Sequence, residues 1–246
     1  MSDLNPILQF GTSRFLQAHA DLFVSEAAKS GQALGHITIV QTTGSAQGAA
    51  RVAAFRAAGG YPVRIRGWQD GAQVDEERRA HAVTQAWQAG RDWRQVRDAA
   101  VAARVIISNT GDTGYRLDDA DHAGMLGGET VPASFPAKLL VLLHGRWQTI
   151  AQAPLTLLPC ELIERNGEVL RDVVAGLARE WQMPQEFTAW LAQHCVWANS
   201  LVDRIVSEAI APVGAVAEPY AVWVVERQPR LVMPCSHPAI VLTDDL

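Results

Sequence analysis

"ILQFGTSRFLQAH", Ile7 to His19, is where the fold of this chain first declares itself. An apolar, strand-like run stops at Gly11 and a helical pattern begins almost at once. In doubly wound α/β proteins the first strand-to-helix turn brings a phosphate to backbone N–H groups, and glycine lets the chain pass close to it. Gly11 can serve that purpose, with Thr12, Ser13 and Arg14 behind it. Ser13 stands at the second glycine position of a G-x-G pattern. A cation at a helix start opposes the helix dipole, so a phosphate partner would account for Arg14. The alternative is an ordinary strand-to-helix connection.

The same alternation continues outward. "PILQF" (6–10), "HITIVQ" (36–41), "RVIISN" (104–109), "PLTLLPC" (154–160) and "YAVWVVE" (220–226) are short apolar runs. Most are continuous rather than alternating, as expected of parallel strands buried on both faces. Helical patterns lie between them. "RFLQAHADLFVSEAAKSG" (14–31) stops at Gly31, and "SAQGAARVAAFRAAGG" (45–60) stops at Gly59-Gly60. "SFPAKLLVLLHGRW" (134–147) has Ser134 as its N-cap, followed by "NGEVLRDVVAGLAREW" (166–181) and "PQEFTAWLAQH" (184–194). The expectation is an α/β fold, a doubly wound, Rossmann-like, mostly parallel sheet. "YPVRIRGWQDGAQVDEE" (61–77) breaks the pattern and reads as a small antiparallel hairpin appendage turning at Asp70-Gly71.

Composition narrows the function classes. The 246 residues are 48% hydrophobic and 19% charged, with a net charge of -5 and no basic run, so no nucleic acid partner is expected. No segment approaches the ~18 apolar residues that span a bilayer, so no membrane partner is expected either. "MSDLNPILQF" has no leader pattern. Three widely spaced cysteines, Cys160, Cys195 and Cys235, suit a reducing cytoplasm. The only lysines are Lys29 and Lys138. There is no phosphate-binding G-x-x-x-x-G-K-[ST] loop, no G-x-S-x-G, no H-E-x-x-H and no C-x-x-C. None of the three tyrosines has a lysine four residues on.

Open α/β sheets bind ligands beyond the C-terminal ends of their strands, and polar residues gather there. The second strand ends at Gln41 and Thr42, where NAD-binding proteins usually place an acid for the ribose hydroxyls. Neutral groups can bind a ribose but decide poorly between NAD and NADP; the other reading is a solvated strand end. "SNTGDTGY" (108–115) offers Asn109 and Thr110 to a nicotinamide or its ribose, or is a simple turn. "LPCELIERNGE" (158–168) puts Glu161 and Asn166 just beyond a strand. In "NSLVDRI" (199–205), Asp203 and Arg204 read as a surface ion pair worth little. His144 and His194 read as packing or surface residues.

Together "FGTSRFLQAH", "VQTTGS", "SNTGDTGY", "SFPAKL", "PCELIERNGEVLRDVV", "NSLVDRI" and "EPYAVWVVE" resemble the N-terminal domain of the mannitol dehydrogenase family, the polyol-specific long-chain dehydrogenases. "SFPAKL" and "PCELIERNG" are most similar to its sugar-acid members. The resemblance runs from Ile7 to about Glu226. It implies an NAD-dependent oxidoreductase acting on a sugar acid or polyol of the altronate/tagaturonate type. Gly11, Phe15, Ala18 and His19 fit the family's first turn, while Ser13 replaces glycine and Gln17 replaces arginine. Gly111 and Asp112 replace a threonine and a glutamate in the next loop. By resemblance, Asn166 would help hold the carbonyl oxygen as charge develops, and Asp203 would line the substrate side of the cleft. The expected organisation is one NAD-binding domain over residues 1–246, without the family's helical C-terminal domain and its general acid/base lysine. The face that domain would cover would then be apolar and would favour self-association. The substitutions at Ser13 and Gln17 and the missing lysine also keep open a non-catalytic nucleotide- or partner-binding module.

Overall fold

The computed structural model describes residues 5–44, 46–56, 59–111, 113–127 and 130–246. Residues 1–4, Ser45, Ala57, Ala58, Asp112, Gly128 and Glu129 lie outside the described residues.

In chain order, β1 (Ile7–Phe10) leads into α1 (Arg14–Ala18) and α2 (Ala20–Ala28), then β2 (Ile37–Gln41) and α3 (Ala46–Phe55). The hairpin is β3 (Tyr61–Gln69) and β4 (Ala72–Ala80), followed by β5 (Val83–Gln88), α4 (Trp93–Ala102) and β6 (Val105–Ser108). A single 3-10 turn at Ala123–Met125 precedes α5 (Phe135–Ile150), β7 (Leu155–Pro159), α6 (Asn166–Glu180) and α7 (Gln185–His194). The chain ends with β8 (Cys195–Trp197), β9 (Ser200–Asp203), β10 (Val206–Ala209), β11 (Ala215–Ala217), β12 (Val222–Glu226) and β13 (Ile240–Thr243). No helix is long and apolar enough to cross a membrane among the described residues.

Six strands form the central sheet in the order β5-β2-β1-β6-β7-β8, every pair parallel. Numbered along the chain these strands run 3-2-1-4-5-6, the doubly wound order, with its switch point between β1 and β6. Successive side chains point to opposite faces. Leu8 and Phe10 join Ile106, Leu157 and residues of α4 to α7 in one apolar cluster. Ile7, Ile39 and Ile107 join Phe23, Val52 and Trp223 in the other. Both faces are covered, which is why the strands read as continuous apolar runs.

Two smaller sheets complete the second face. The hairpin turns at Asp70 (φ 52°) and Gly71 (φ 78°), the left-handed pair that a tight two-residue turn requires. It is not an isolated appendage: β11 pairs parallel with β3, giving the order β10-β11-β3-β4. "YAVWVVE" also departs from expectation. Its strand β12 lies outside the parallel sheet, antiparallel to β9 and parallel to β13. Its residues alternate between buried and half-buried, the mark of a strand covered on one side. The edge strand β5 and helix α4 are not among the expected elements; α4 buries Trp93, Val96, Ala99 and Ala100 at helical spacing along one face.

Candidate functional site

The β1 turn lies at the switch point. Gly11 has φ +113°, and a Cβ there would stand 2.5 Å from the carbonyl oxygen of Asn109. Only glycine allows β1 and β6 to run this close. Ser13 does not need that freedom. Its φ is -64° and its side chain caps α1, accepting from the Leu16 N–H and donating to Asn109 Oδ1 at 3.3 Å. The serine that stands for the second glycine is therefore unstrained and turned back onto its own helix. The backbone N–H groups of Thr12, Ser13, Arg14 and Phe15 have no partner among the described residues. Arg14 is exposed beside them. Because α1 has five residues, its macrodipole is small. The anion-attracting elements here are the free N–H groups and the guanidinium.

The expected helix over residues 14–31 is broken at His19, whose φ of -119° and ψ of -96° are not helical. His19 is buried, stacks on Phe15 at 4.8 Å between centroids, and its Nε2 meets the Val222 carbonyl at 3.1 Å. Burial lowers its pKa to about 3, so the ring is neutral at ordinary pH. Two residues on, Asp21 is fully buried and accepts from the Tyr61 hydroxyl at 2.6 Å; burial raises its pKa to about 7. Gln17, where the family has arginine, ties the turn to the second sheet. Its Nε2 donates to Thr12 O at 3.0 Å and its Oε1 accepts from the Gly214 N–H at 2.8 Å.

At the end of β2, Gln41 is buried and Thr42 half-buried. Gln41 Oε1 accepts from Thr12 Oγ1 at 2.5 Å, and its Nε2 donates to Thr43 Oγ1 at 2.6 Å. This strand end therefore packs onto the first turn.

Across the switch point Asn109 donates to the Cys160 carbonyl at 2.8 Å, joining the ends of β6 and β7. Glu161, buried at the end of β7, gathers four donors: Ser108 Oγ at 3.0 Å, the Thr110 N–H at 3.0 Å, Thr110 Oγ1 at 2.9 Å and the Tyr115 hydroxyl at 3.1 Å. The carboxylate organises the 108–115 loop without a cation among these contacts. Its signal in the sequence is an acid closing an apolar strand.

Asn166 and Asp203, the two residues expected to touch substrate, stand in different places. Asn166 is fully buried. Its Nδ2 donates to the carbonyls of Pro159, Glu161 and Ser200, and its Oδ1 accepts from the Ser200 N–H at 2.9 Å. Both amide hydrogens are thus committed to backbone, and the side chain clamps the end of β7 to β9. Gly167 follows because a Cβ would fall 2.5 Å from the Ala198 carbonyl. Asn199 completes the lock by accepting from the Glu168 N–H at 3.1 Å. Asp203 instead is exposed in a cavity of about 300 Å³, lined also by Phe15, Asn109, Gly111, Glu161 and Leu162.

Arg204 corrects the expected surface pair. It points away from Asp203 into the protein, where it donates to the carbonyls of Ala18 and Glu218. Adjacent side chains in extended backbone face opposite ways. Lys138 is buried in α5 with its Nζ 2.6 Å from the Ala133 carbonyl. The three cysteines are buried and free, and His144 packs against Trp147 and Phe187. Leu162 is 84% exposed and Leu201 51%; with Leu246 they bound a larger cavity of about 620 Å³ beside the cleft.

The model of the mannitol dehydrogenase Rossmann domain matches residues 5–233. The altronate oxidoreductase of Bacillus subtilis is 30% identical over 240 residues, covering 89% of this chain and 48% of that protein. That of Halalkalibacterium halodurans is 29% identical over 244 residues, covering 92% and 46%. The chain thus spans about half the length of the curated relatives it matches. Among solved structures, Pseudomonas fluorescens mannitol 2-dehydrogenase, a ternary complex with NAD and D-mannitol, superposes with a TM-score of 0.78 at 18% identity. It covers 97% of this chain and 53% of that one, a likeness of fold.

Proposed function

Because this chain belongs to the mannitol dehydrogenase family, we propose that it binds NAD(H) along the C-terminal rim of its parallel sheet and serves an oxidoreductase of sugar acids or polyols. The altronate/tagaturonate pair is the proposed substrate class, since the relatives that cover most of this chain are altronate oxidoreductases. One observation carries the cofactor half of the proposal. At the switch point of a 3-2-1-4-5-6 sheet, a glycine-dependent turn leaves four consecutive backbone N–H groups free, with an exposed arginine beside them.

In this reading Thr12, Ser13, Arg14 and Phe15 hold the pyrophosphate, and Gln41 and Thr42 take the adenosine ribose. Asn109 and Thr110 take the nicotinamide end, where Glu161 fixes the loop that carries Thr110. The bound cofactor supplies a hydride acceptor or donor. Asp203 and Phe15 form the substrate side of the cavity. Asn166 acts by positioning, holding the β7–β9 wall. Neither Lys29 nor Lys138 is assigned the proton transfer; Lys138 is committed to a backbone carbonyl. For residues 1–246 the proposal therefore covers cofactor binding and the substrate-facing cavity, and it assigns no proton donor. The exposed rim of Leu162, Leu201 and Leu246 supports self-association through that face.

The departures that favoured a degenerate module have structural roles: Ser13 caps a helix and Gln17 bridges two sheets. The test is a titration of NADH into the chain, following nicotinamide fluorescence and tryptophan quenching. Saturable binding is expected; no signal at millimolar cofactor overturns the proposal.

A further inference from the structure

We infer that the adenosine end of this cleft accepts a 2′-phosphorylated dinucleotide as well as NAD(H), with Arg51 meeting the added phosphate. The inference rests on the dinucleotide reading above and extends it to a second cofactor.

In a doubly wound sheet the end of the second strand faces the adenosine ribose. Discrimination against a 2′-phosphate comes from a carboxylate there, which accepts from the ribose hydroxyls and repels a phosphate dianion. β2 ends in Gln41 instead, and the sequence contains no Asp or Glu anywhere between Glu26 and Asp70. Gln41 is pinned on both sides, by Thr12 Oγ1 and Thr43 Oγ1, so its neutral amide is a fixed part of this corner. On the rim of the neighbouring strand β5 the acid is Asp92, and it is occupied. It accepts from the Gln88 N–H at 3.0 Å and pairs with Arg91 at 3.1 Å and Arg56 at 3.7 Å.

Arg51 supplies the positive charge. It stands half-buried on α3, the helix that follows β2, with its Nη1 3.2 Å from Thr12 Oγ1. That hydroxyl is the one that bridges to Gln41, so the guanidinium reaches the point where the first turn meets the end of β2. Among the described residues no carboxylate pairs with Arg51. A guanidinium offers five donors in a planar fork, and phosphate, like carboxylate, takes two of them side by side. A cationic fork with a neutral neighbour and no competing acid is the arrangement in which an added phosphate gains contacts rather than meeting repulsion.

The experiment titrates the full chain with NADH and NADPH by nicotinamide fluorescence, with 2′-AMP and 5′-AMP as competitors. NADPH is expected to bind within about tenfold of NADH, a gap of about 1.4 kcal/mol. The Arg51→Gln variant should weaken NADPH by about tenfold or more while NADH changes by less than about threefold. The Gln41→Asp variant should shift preference the other way, toward NADH. Melting curves of both variants confirm folding, and 2′-AMP should displace NADPH better than 5′-AMP does. NADH binding with NADPH about a hundredfold weaker overturns the inference and leaves the NAD(H) proposal standing. Equal losses of both cofactors in Arg51→Gln also overturn it, by placing Arg51 on the shared part of the dinucleotide. Failure of both cofactors to bind the wild-type chain overturns both readings together.

Discussion

Two strand-to-helix turns flank the cleft, Gly11–Arg14 after β1 and Cys160–Gly167 after β7, and they treat their polar groups in opposite ways. The first leaves four N–H donors unpaired and an arginine in solvent. The second pairs the Asn166 amide on both of its hydrogens and its oxygen, and gathers four donors onto Glu161. Each turn needs one glycine, and for the same reason: a backbone carbonyl stands 2.5 Å from where a Cβ would be. A polar, glycine-containing strand end thus says that chains approach closely there. It does not say whether the polar groups face a ligand or hold the fold.

The largest effect expected concerns what lies under the first turn. Asp21 has its pKa raised to about 7 and His19 has its lowered to about 3. Between about pH 4 and 7 the unfolded chain gives up the Asp21 proton and the folded chain keeps it, so this group costs stability as pH rises. Between about pH 6.5 and 3 the unfolded chain protonates His19 and the folded chain does not, so this group costs stability as pH falls. The two slopes oppose each other over most of the window. Replacing Asp21 with Asn removes one of them. Three pK units correspond to about 4 kcal/mol, so the stability of Asp21→Asn relative to wild type should rise by about that much from pH 4 to pH 7. Urea unfolding across that range measures it. A pH-independent difference would mean that Asp21 titrates normally.

Asn166→Ala sharpens the contrast from the other turn. It takes a donor from three carbonyls, of which Pro159 keeps the Ser200 hydroxyl and Glu161 the Ile163 N–H, and it unpairs the Ser200 N–H in a buried wall, so it should cost about 2 kcal/mol or more in thermal unfolding. An unchanged melting temperature would break the comparison and return Asn166 to the role of an oxyanion donor. Ser13→Gly should do least. The φ of -64° suits any residue, so the cap and the long bond to Asn109 are what is lost, about 0.5 kcal/mol, with NADH affinity changed by less than about threefold. A large gain in NADH affinity would show that the serine crowds the cofactor.

Much of the framework is legible in the sequence because it is local. The apolar runs at Ile7, Ile37, Val105 and Leu155 become parallel strands, Asp70-Gly71 becomes the hairpin turn, and Ser134 caps α5. The edge strand β5 escapes notice because half-coverage dilutes its apolar run. The break at His19 escapes because a helical period continues on either side of it. Of the candidate residues, Phe15, Asn109 and Asp203 line one cavity, while the Asn166 side chain is buried against backbone groups.

By itself the sequence determined the alternation of strands and helices, the need for glycine after β1, and the family, since periodicity, turn chemistry and motif order are all written in neighbouring residues. Only the tertiary structure decided what each polar side chain does. Arg204 serves the Ala18 carbonyl from 186 positions away, and Gln17 holds Gly214 from 197. A hydrogen bond depends on distance in space, and chain folding, not spacing along the sequence, sets that distance.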